Sequence, residues 1–275
     1  MTDHPEYPSR PIVTLITDFG LSDEYVGVLK GVILSHNADI RIVDITHLLP
    51  AQDIRTAAHL LARSYGFFPS GTVHLVIVDP GVGSDRPLLA IHSDCHFFIG
   101  PDNGIFTPIM KKNKSLSIHR ITNQDLFLRK VSKTFHGRDI MAPVAAQLAT
   151  GLAIDRVGPR VRPEDCLLSG PGSCSVIDGV LHGEITHVDR FGNLCTNISR
   201  SEVGKFSGGK KIVIQVGENG KRTVDTICSS YGGQAENALL ALYDSHDFLE
   251  IAVNMGNASE QLKTSTGSGI LLFLQ

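Results

Sequence analysis

Three acidic residues stand where apolar, β-branched runs of the chain stop. Asp18 follows Pro11–Thr17, Asp44 closes Ile40–Asp44, and Asp79 follows Val73–Val78. In an open parallel sheet, ligands bind beyond the carboxyl ends of the strands. A carboxylate there can accept two hydrogen bonds, the geometry that suits the cis-diol of a ribose. The plainer reading of such a residue is a helix cap or a turn aspartate. The segment Asp79-Pro80-Gly81-Val82-Gly83-Ser84-Asp85-Arg86 contains a G-x-G, but Arg86 stands where a dinucleotide fingerprint needs its third glycine. No helical pattern follows, so a Rossmann cofactor site is excluded. What remains is a glycine-rich turn that brings one carboxylate and one guanidinium together, with a surface ion pair as the plain alternative. His136, in Thr134-Phe135-His136-Gly137-Arg138-Asp139, places an imidazole in a loop just before a helix N-terminus.

His92-Ser93-Asp94-Cys95-His96 has the residue types of a metal cluster. It fits a hairpin turn better, and no second ligand pair answers it, so no metal site is expected. The chain has no HExxH, no GxSxG and no P-loop GxxxxGKS/T. Two further polar groups lie in the second half. Asp189-Arg190-Phe191-Gly192-Asn193, with Thr196-Asn197 beyond, reads as a turn between strands that could hold a polar ligand and stack an aromatic face. Tyr243-Asp244-Ser245-His246, followed by Leu249–Asn254, is the other. Each alone is also a plausible β-turn.

The elements that must position these groups change along the chain. Strand-like runs Pro11–Thr17, Ile40–Asp44 and Val73–Val78 alternate with helical stretches Asp23–Ser35 and Asp53–Tyr65. Leu88–His92 and His96–Ile99 predict a hairpin, and Asp139–Thr150 a further helix. Continuously apolar strands alternating with helices predict an α/β domain with a mostly parallel sheet covered on both faces. After Gly170-Pro171-Gly172 the pattern becomes period-two, in Val180–Val188, Lys211–Val216, Arg222–Ile227 and Phe248–Val253. That predicts a small antiparallel β-barrel-like domain. The boundary falls near 168–177, giving an N-terminal domain over 1–170 and a C-terminal domain over 171–275.

The 275 residues are 42% hydrophobic and 19% charged, which excludes low-complexity, collagen-like and disordered classes. Lys+Arg 25 against Asp+Glu 28 gives net charge -3, and the nearest basic run, Lys111-Lys112-Asn113-Lys114, is a solvated loop or helix end. A nucleic-acid partner is not expected. The five cysteines, Cys95, Cys166, Cys174, Cys195 and Cys228, form no CxxC and point to a reducing compartment. Residues Met1 to Pro11 lack the apolar core of a signal peptide, and no apolar run approaches the ~18 residues of a membrane helix. A soluble, cytoplasmic protein is expected.

Taken in order, Thr17-Asp18-Phe19-Gly20, Val78–Gly83, Gly100-Pro101-Asp102-Asn103-Gly104, Phe135–Asp139, Asp189–Asn193 and Thr196-Asn197 closely resemble the S-adenosyl-L-methionine (SAM) hydroxide adenosyltransferase family. These are SAM hydrolases that form adenosine, related to fluorinase and chlorinase. The resemblance runs from about residue 11 to residue 258. It implies an α/β domain followed by a β-barrel-like domain, and a homotrimer with each site shared between subunits. It implies no cofactor and no metal, SAM being the substrate. By the same resemblance, Asp18 holds the ribose hydroxyls, and Asp189 and Ser245 the amino and carboxylate end of the methionine portion. Phe191 and Asn193 contact the adenine, and Asp79, Arg86 and His136 form the set that marks the hydrolases.

The departures point away from halogenation. Fluorinase-like members carry tyrosines in place of Asp79 and His136, a serine in place of Gly137, and a long inserted loop where this chain has only His92–His96. Their two site tryptophans are replaced by Gln52 and Cys195, and His246 stands where they have an arginine. Besides a halogenase, a sensor that binds SAM or adenosine without reacting is the other alternative. The intact Asp79, Arg86 and His136 argue against it.

Overall fold

A computed structural model describes residues 10–113, 115–170, 172–217 and 222–275. Lys114 of the basic run, Pro171 of the boundary tripeptide and most of the Met1–Pro11 segment lie outside them. The chain divides at Gly170 into two compact units.

The first unit runs β1 (Ile12–Thr17), α1 (Tyr25–His36), β2 (Arg41–Thr46), α2 (Ile54–Ser64), β3 (Val73–Ile77), β4 (Leu88–Ser93), β5 (His96–Pro101), α3 (Thr107–Lys112), β6 (Ser117–Arg120), α4 (Ala142–Ala149) and β7 (Arg160–Val161). The sheet order is β2-β1-β3-β5-β4-β6-β7. Pairings β2/β1, β1/β3 and β3/β5 are parallel. Pairings β5/β4, β4/β6 and β6/β7 are antiparallel. The expected mostly parallel sheet is therefore a mixed one. Its cause is local: β4 and β5 meet at Asp94-Cys95, both with positive φ (48° and 64°), a tight turn that forces antiparallel pairing. The same turn accounts for the His92–His96 segment, where the His92 ring stacks on Phe97.

Both faces of this sheet are covered. Along β3, Val73, Leu75 and Ile77 point to one core with Leu29 and Ile33 of α1 and Val144 and Leu148 of α4. Val76 and Val78 point to the other, with Ala57 and Leu61 of α2 and Ile109 of α3. Burying each such branched side chain stabilises the fold by about 1.5–3 kcal/mol relative to leaving it exposed. The helix expected over Asp139–Thr150 begins as a wide π-type turn, Gly137–Met141, and becomes regular only at α4, where Pro143, having no N–H to give, suits a first turn.

The second unit holds β8 (Ser175–Ile177), β9 (Val180–Val188), β10 (Leu194–Ser199), α5 (Arg200–Ser207), β11 (Ile212–Val216), β12 (Arg222–Val224), β13 (Ile227–Cys228), β14 (Leu239–Tyr243), β15 (Phe248–Val253), α6 (Ala258–Leu262) and β16 (Gly269–Leu274). Its sheet follows β12-β11-β16-β9-β10-β15-β14-β13, with β8 on β9. β12 also lies beside β14, so the sheet nearly closes into a barrel. Its pairings are antiparallel apart from β13/β14. Inward residues such as Ile212, Ile214 and Val216 alternate with outward ones and fill a core with Leu249, Ile251, Ile270 and Leu272. Among the described residues, no helix is long and apolar enough to cross a membrane.

Candidate active site

The chain leaves β1 through α1 toward β2, then returns through α2 to β3 on the other side of β1. The two helices cover opposite faces, so a crevice opens between the carboxyl ends of β1 and β3. Asp18 is the first residue after β1, and Asp79 the second after β3, on neighbouring strands in register at Thr17 and Ile77. Asn103 Nδ2 donates to the Val78 carbonyl at 2.8 Å and tethers the strand end next to Asp79.

The loop after Asp79 folds back on itself. Val82 N–H donates to the Asp79 carbonyl and Ser84 Oγ to the Gly81 carbonyl. Gly83 has φ +81°, and a Cβ there would lie 2.4 Å from the Lys133 carbonyl oxygen, so only glycine passes. The turn delivers Arg86 to Asp79. Arg86 Nε donates to Asp79 Oδ1 at 2.5 Å and Nη2 to Oδ2, a bidentate pair with side chains only 10% and 5% exposed. Arg86 Nη2 also reaches His136 Nδ1 at 3.4 Å. Burial first, and the Arg86 charge second, hold the His136 imidazole below its ordinary pKa. The Ser132 carbonyl accepts a hydrogen bond from the same ring. Asp79, Arg86 and His136 thus form one continuous polar row.

Asp18 is half-buried on the same edge. Its Oδ2 accepts the Gln52 N–H at 2.7 Å, with Gln52 in the left-handed region (φ 66°) just before the α2 cap, Asp53. Phe19 and Phe135 meet edge-on at 5.7 Å, which joins the Asp18 loop to the His136 loop. A cavity of about 400 Å³ opens beside these rings, lined also by Tyr25 and Arg138. Asp44, expected at a strand end, lies inside β2, which runs on to Thr46, and is engaged by Lys30 and His47.

In the second unit the expected residues fall on two turns. Asp189 Oδ1 accepts the N–H groups of Phe191 (2.8 Å) and Asn193 (2.9 Å), and Oδ2 accepts Asn193 Nδ2 (2.9 Å). Asp189 therefore also organises the turn that carries Phe191, whose ring is 73% exposed. Gly192 is confined there, because a Cβ would overlap the Asn257 amide. On the other turn, Ser245 Oγ contacts His246 Nδ1 at 3.2 Å. Sequence reasoning passed over Glu250. It is buried in β15, accepts the Tyr231 hydroxyl at 2.8 Å, and lies with Cys195 and Asp244 so that their ligand-type atoms fall within 4.8 Å of one another. Burial, then the nearby Asp189 and Asp244, raise its pKa against the Tyr231 and Cys195 hydrogen bonds. A carboxylate inside an apolar run, on the face opposite Leu249 and Ile251, was the available signal.

Residues 13–158 match the model of the SAM hydroxide adenosyltransferase N-terminal domain, and residues 183–271 that of the C-terminal domain. The chain belongs to the SAM hydroxide adenosyltransferase family. Among SAM hydroxide adenosyltransferase relatives, an (R)-S-adenosyl-L-methionine hydrolase of Thermus thermophilus is 36% identical over 96% of this chain and 99% of its own. One of Salinispora tropica is 34% identical over 94% and 95%. A fluorinase of Nocardia brasiliensis is more distant, 24% identical over 95% and 96%. The crystal structure of an uncharacterized conserved protein from Thermotoga maritima, 38% identical, superposes with a TM-score of 0.87 and covers 95% of this chain and 99% of that one.

Proposed function

We propose that this chain hydrolyses SAM to adenosine and L-methionine, with water attacking C5′ of the ribose. The observation that carries the reading is the row Asp79–Arg86–His136, set one strand from Asp18 at the carboxyl edge of the sheet. Relatives of 34–36% identity named as (R)-S-adenosyl-L-methionine hydrolases support it.

Methionine departs from a sulfonium as a neutral thioether, so no acid need help it leave. The burden falls on water, whose pKa in bulk is about 15.7. The Arg86–His136 contact is at the long end of hydrogen bonding. A water beside it can accept a hydrogen bond from the guanidinium and turn its own hydrogen to the Nδ1 lone pair. Asp79 fixes the guanidinium, Arg86 stabilises the developing hydroxide charge, and neutral His136 takes the proton. Asp18 takes the ribose hydroxyls, Asp189 and Ser245 the methionine end, and Phe191 and Asn193 the adenine. None of these steps calls on a metal or a cofactor. Assembly as a homotrimer that shares each site between subunits, and a cytoplasmic location consistent with five free cysteines, belong to the same proposal.

Incubation with SAM in ¹⁸O-labelled water is expected to place the label in the 5′-hydroxyl of adenosine, with halide salts leaving the product unchanged. Unlabelled adenosine, a 5′-halo product, or stoichiometric retention of unreacted SAM would overturn the reading.

A further inference from the structure

The loop that carries Asp18 is fastened from beneath by a polar relay that is buried at Thr17 and His47 and reaches the surface at Asp44. His47, after β2, is almost fully buried. Its Nδ1 lies 2.8 Å from Thr17 Oγ1, and its Nε2 lies 3.1 Å from Asp44 Oδ1. Asp44 Oδ2 accepts from Lys30 Nζ at 2.5 Å. On the other side, Phe19 N–H donates to Thr17 Oγ1 at 3.3 Å and Gly20 N–H to the His47 carbonyl at 2.8 Å. The contacts fit one arrangement of protons. Nδ1 accepts the Thr17 hydroxyl, that oxygen in turn accepts from Phe19, and Nε2 faces the Asp44 carboxylate as a close charge contact, without the alignment of a full hydrogen bond. Asp18 stands between the two residues so tied, Thr17 and Phe19.

The Thr–His–Asp order resembles a nucleophilic triad, but Thr17 is fully buried and cannot meet a substrate. A relay of this kind holds backbone rather than attacking carbon. Lost rigidity in a ligand-holding loop lowers binding through the entropy of re-ordering it. We infer that His47, with Thr17 and Asp44, is a positioning residue that fixes the Asp18 loop and thereby the enzyme's preference for a ribose bearing its 2′-hydroxyl. The inference rests on the reading of Asp18 as the ribose carboxylate.

The test uses the full chain with SAM and its 2′-deoxy analogue. Asp18→Ala sets the scale of lost preference. His47→Ala is expected to raise KM for SAM about tenfold, the value of one or two hydrogen bonds, and to lower the SAM/2′-deoxy preference in parallel. Combined with Asp18→Ala it should add little, because both act through one contact. His47→Gln, whose amide offers an acceptor to Thr17 and a donor to Asp44, should recover part of the preference. Where His47→Ala does not fold, Thr17→Val cuts the same link at constant volume and is read in the same way. A folded His47→Ala or Thr17→Val enzyme with full preference would overturn the positioning role alone. Retained preference in Asp18→Ala would overturn the ribose reading and the inference together.

Discussion

Arg86 serves Asp79 and His136 with a single guanidinium, and no other cationic side chain can do both. Lysine offers a point charge without the planar fork, so Arg86→Lys should lower kcat on the order of 10²–10³-fold while KM for SAM changes little. Adenosine formation at saturating SAM measures it, and a near-native kcat would remove Arg86 from the chemistry. The lowered pKa of His136 sets a second expectation. A base works unprotonated, so kcat rises with pH through that lowered value and levels off by about 6.5, the ordinary imidazole value. Asp79 opposes the lowering. In Asp79→Asn the acid limb of the residual activity should therefore move to still lower pH. Spacing alone paired Asp79 with Arg86 across the glycine-rich turn but could not add His136, which stands 50 positions from Arg86. The ordered set of motifs across the chain was needed to place them together.

At the scale of elements, β3 carries both a site residue at its end and a titratable one in its middle. His74 is fully buried between Thr14 and His96, and burial, then the His96 charge, lower its pKa to about 3 from 6.5. The folded chain refuses a proton that the unfolded chain takes below pH 6.5. Stability is therefore full above 6.5 and falls as pH drops toward 3, by up to about 1.4 kcal/mol per pH unit. His74→Gln should give a shallower acid limb in denaturant melts at stepped pH. The Asp79–Arg86 loop has its own hinge in Gly83. Gly83→Ala should cost on the order of 1–3 kcal/mol in stability and lower activity by displacing Arg86. Sequence periodicity found β1, β3 and the β4–β5 hairpin because their side chains are almost uniformly buried and apolar, and β9 because apolar and polar residues broadly alternate along it. It could not give strand direction, and so missed the mixed sheet. It also passed over β6 and β7, whose Ser117-Ile118-His119-Arg120 and Arg160-Val161 are too short and polar to stand out.

In the whole molecule, Asp18 belongs to one compact unit and Asp189 to the other. If sites are shared in a homotrimer, inactive Asp18→Ala and Asp189→Ala chains should regain activity when dissociated and reassembled together; a monomer in sedimentation, active at high dilution, would exclude this. The mixed sheet has a consequence in time as well as in space. Thr14 and His74, paired across β1 and β3, are 60 positions apart, whereas Ser93 and His96 face each other across a two-residue turn. Hairpins close in about 1–10 μs, while distant parallel pairing must first overcome the entropy of a long loop. During refolding, amide protection at Ile91 and Phe98 is expected before protection at Leu15 and Val76. Asp18 and Asp79 come side by side only with that later pairing, so a partly folded chain already owns its hairpin and cannot yet consume a methyl donor the cell needs elsewhere.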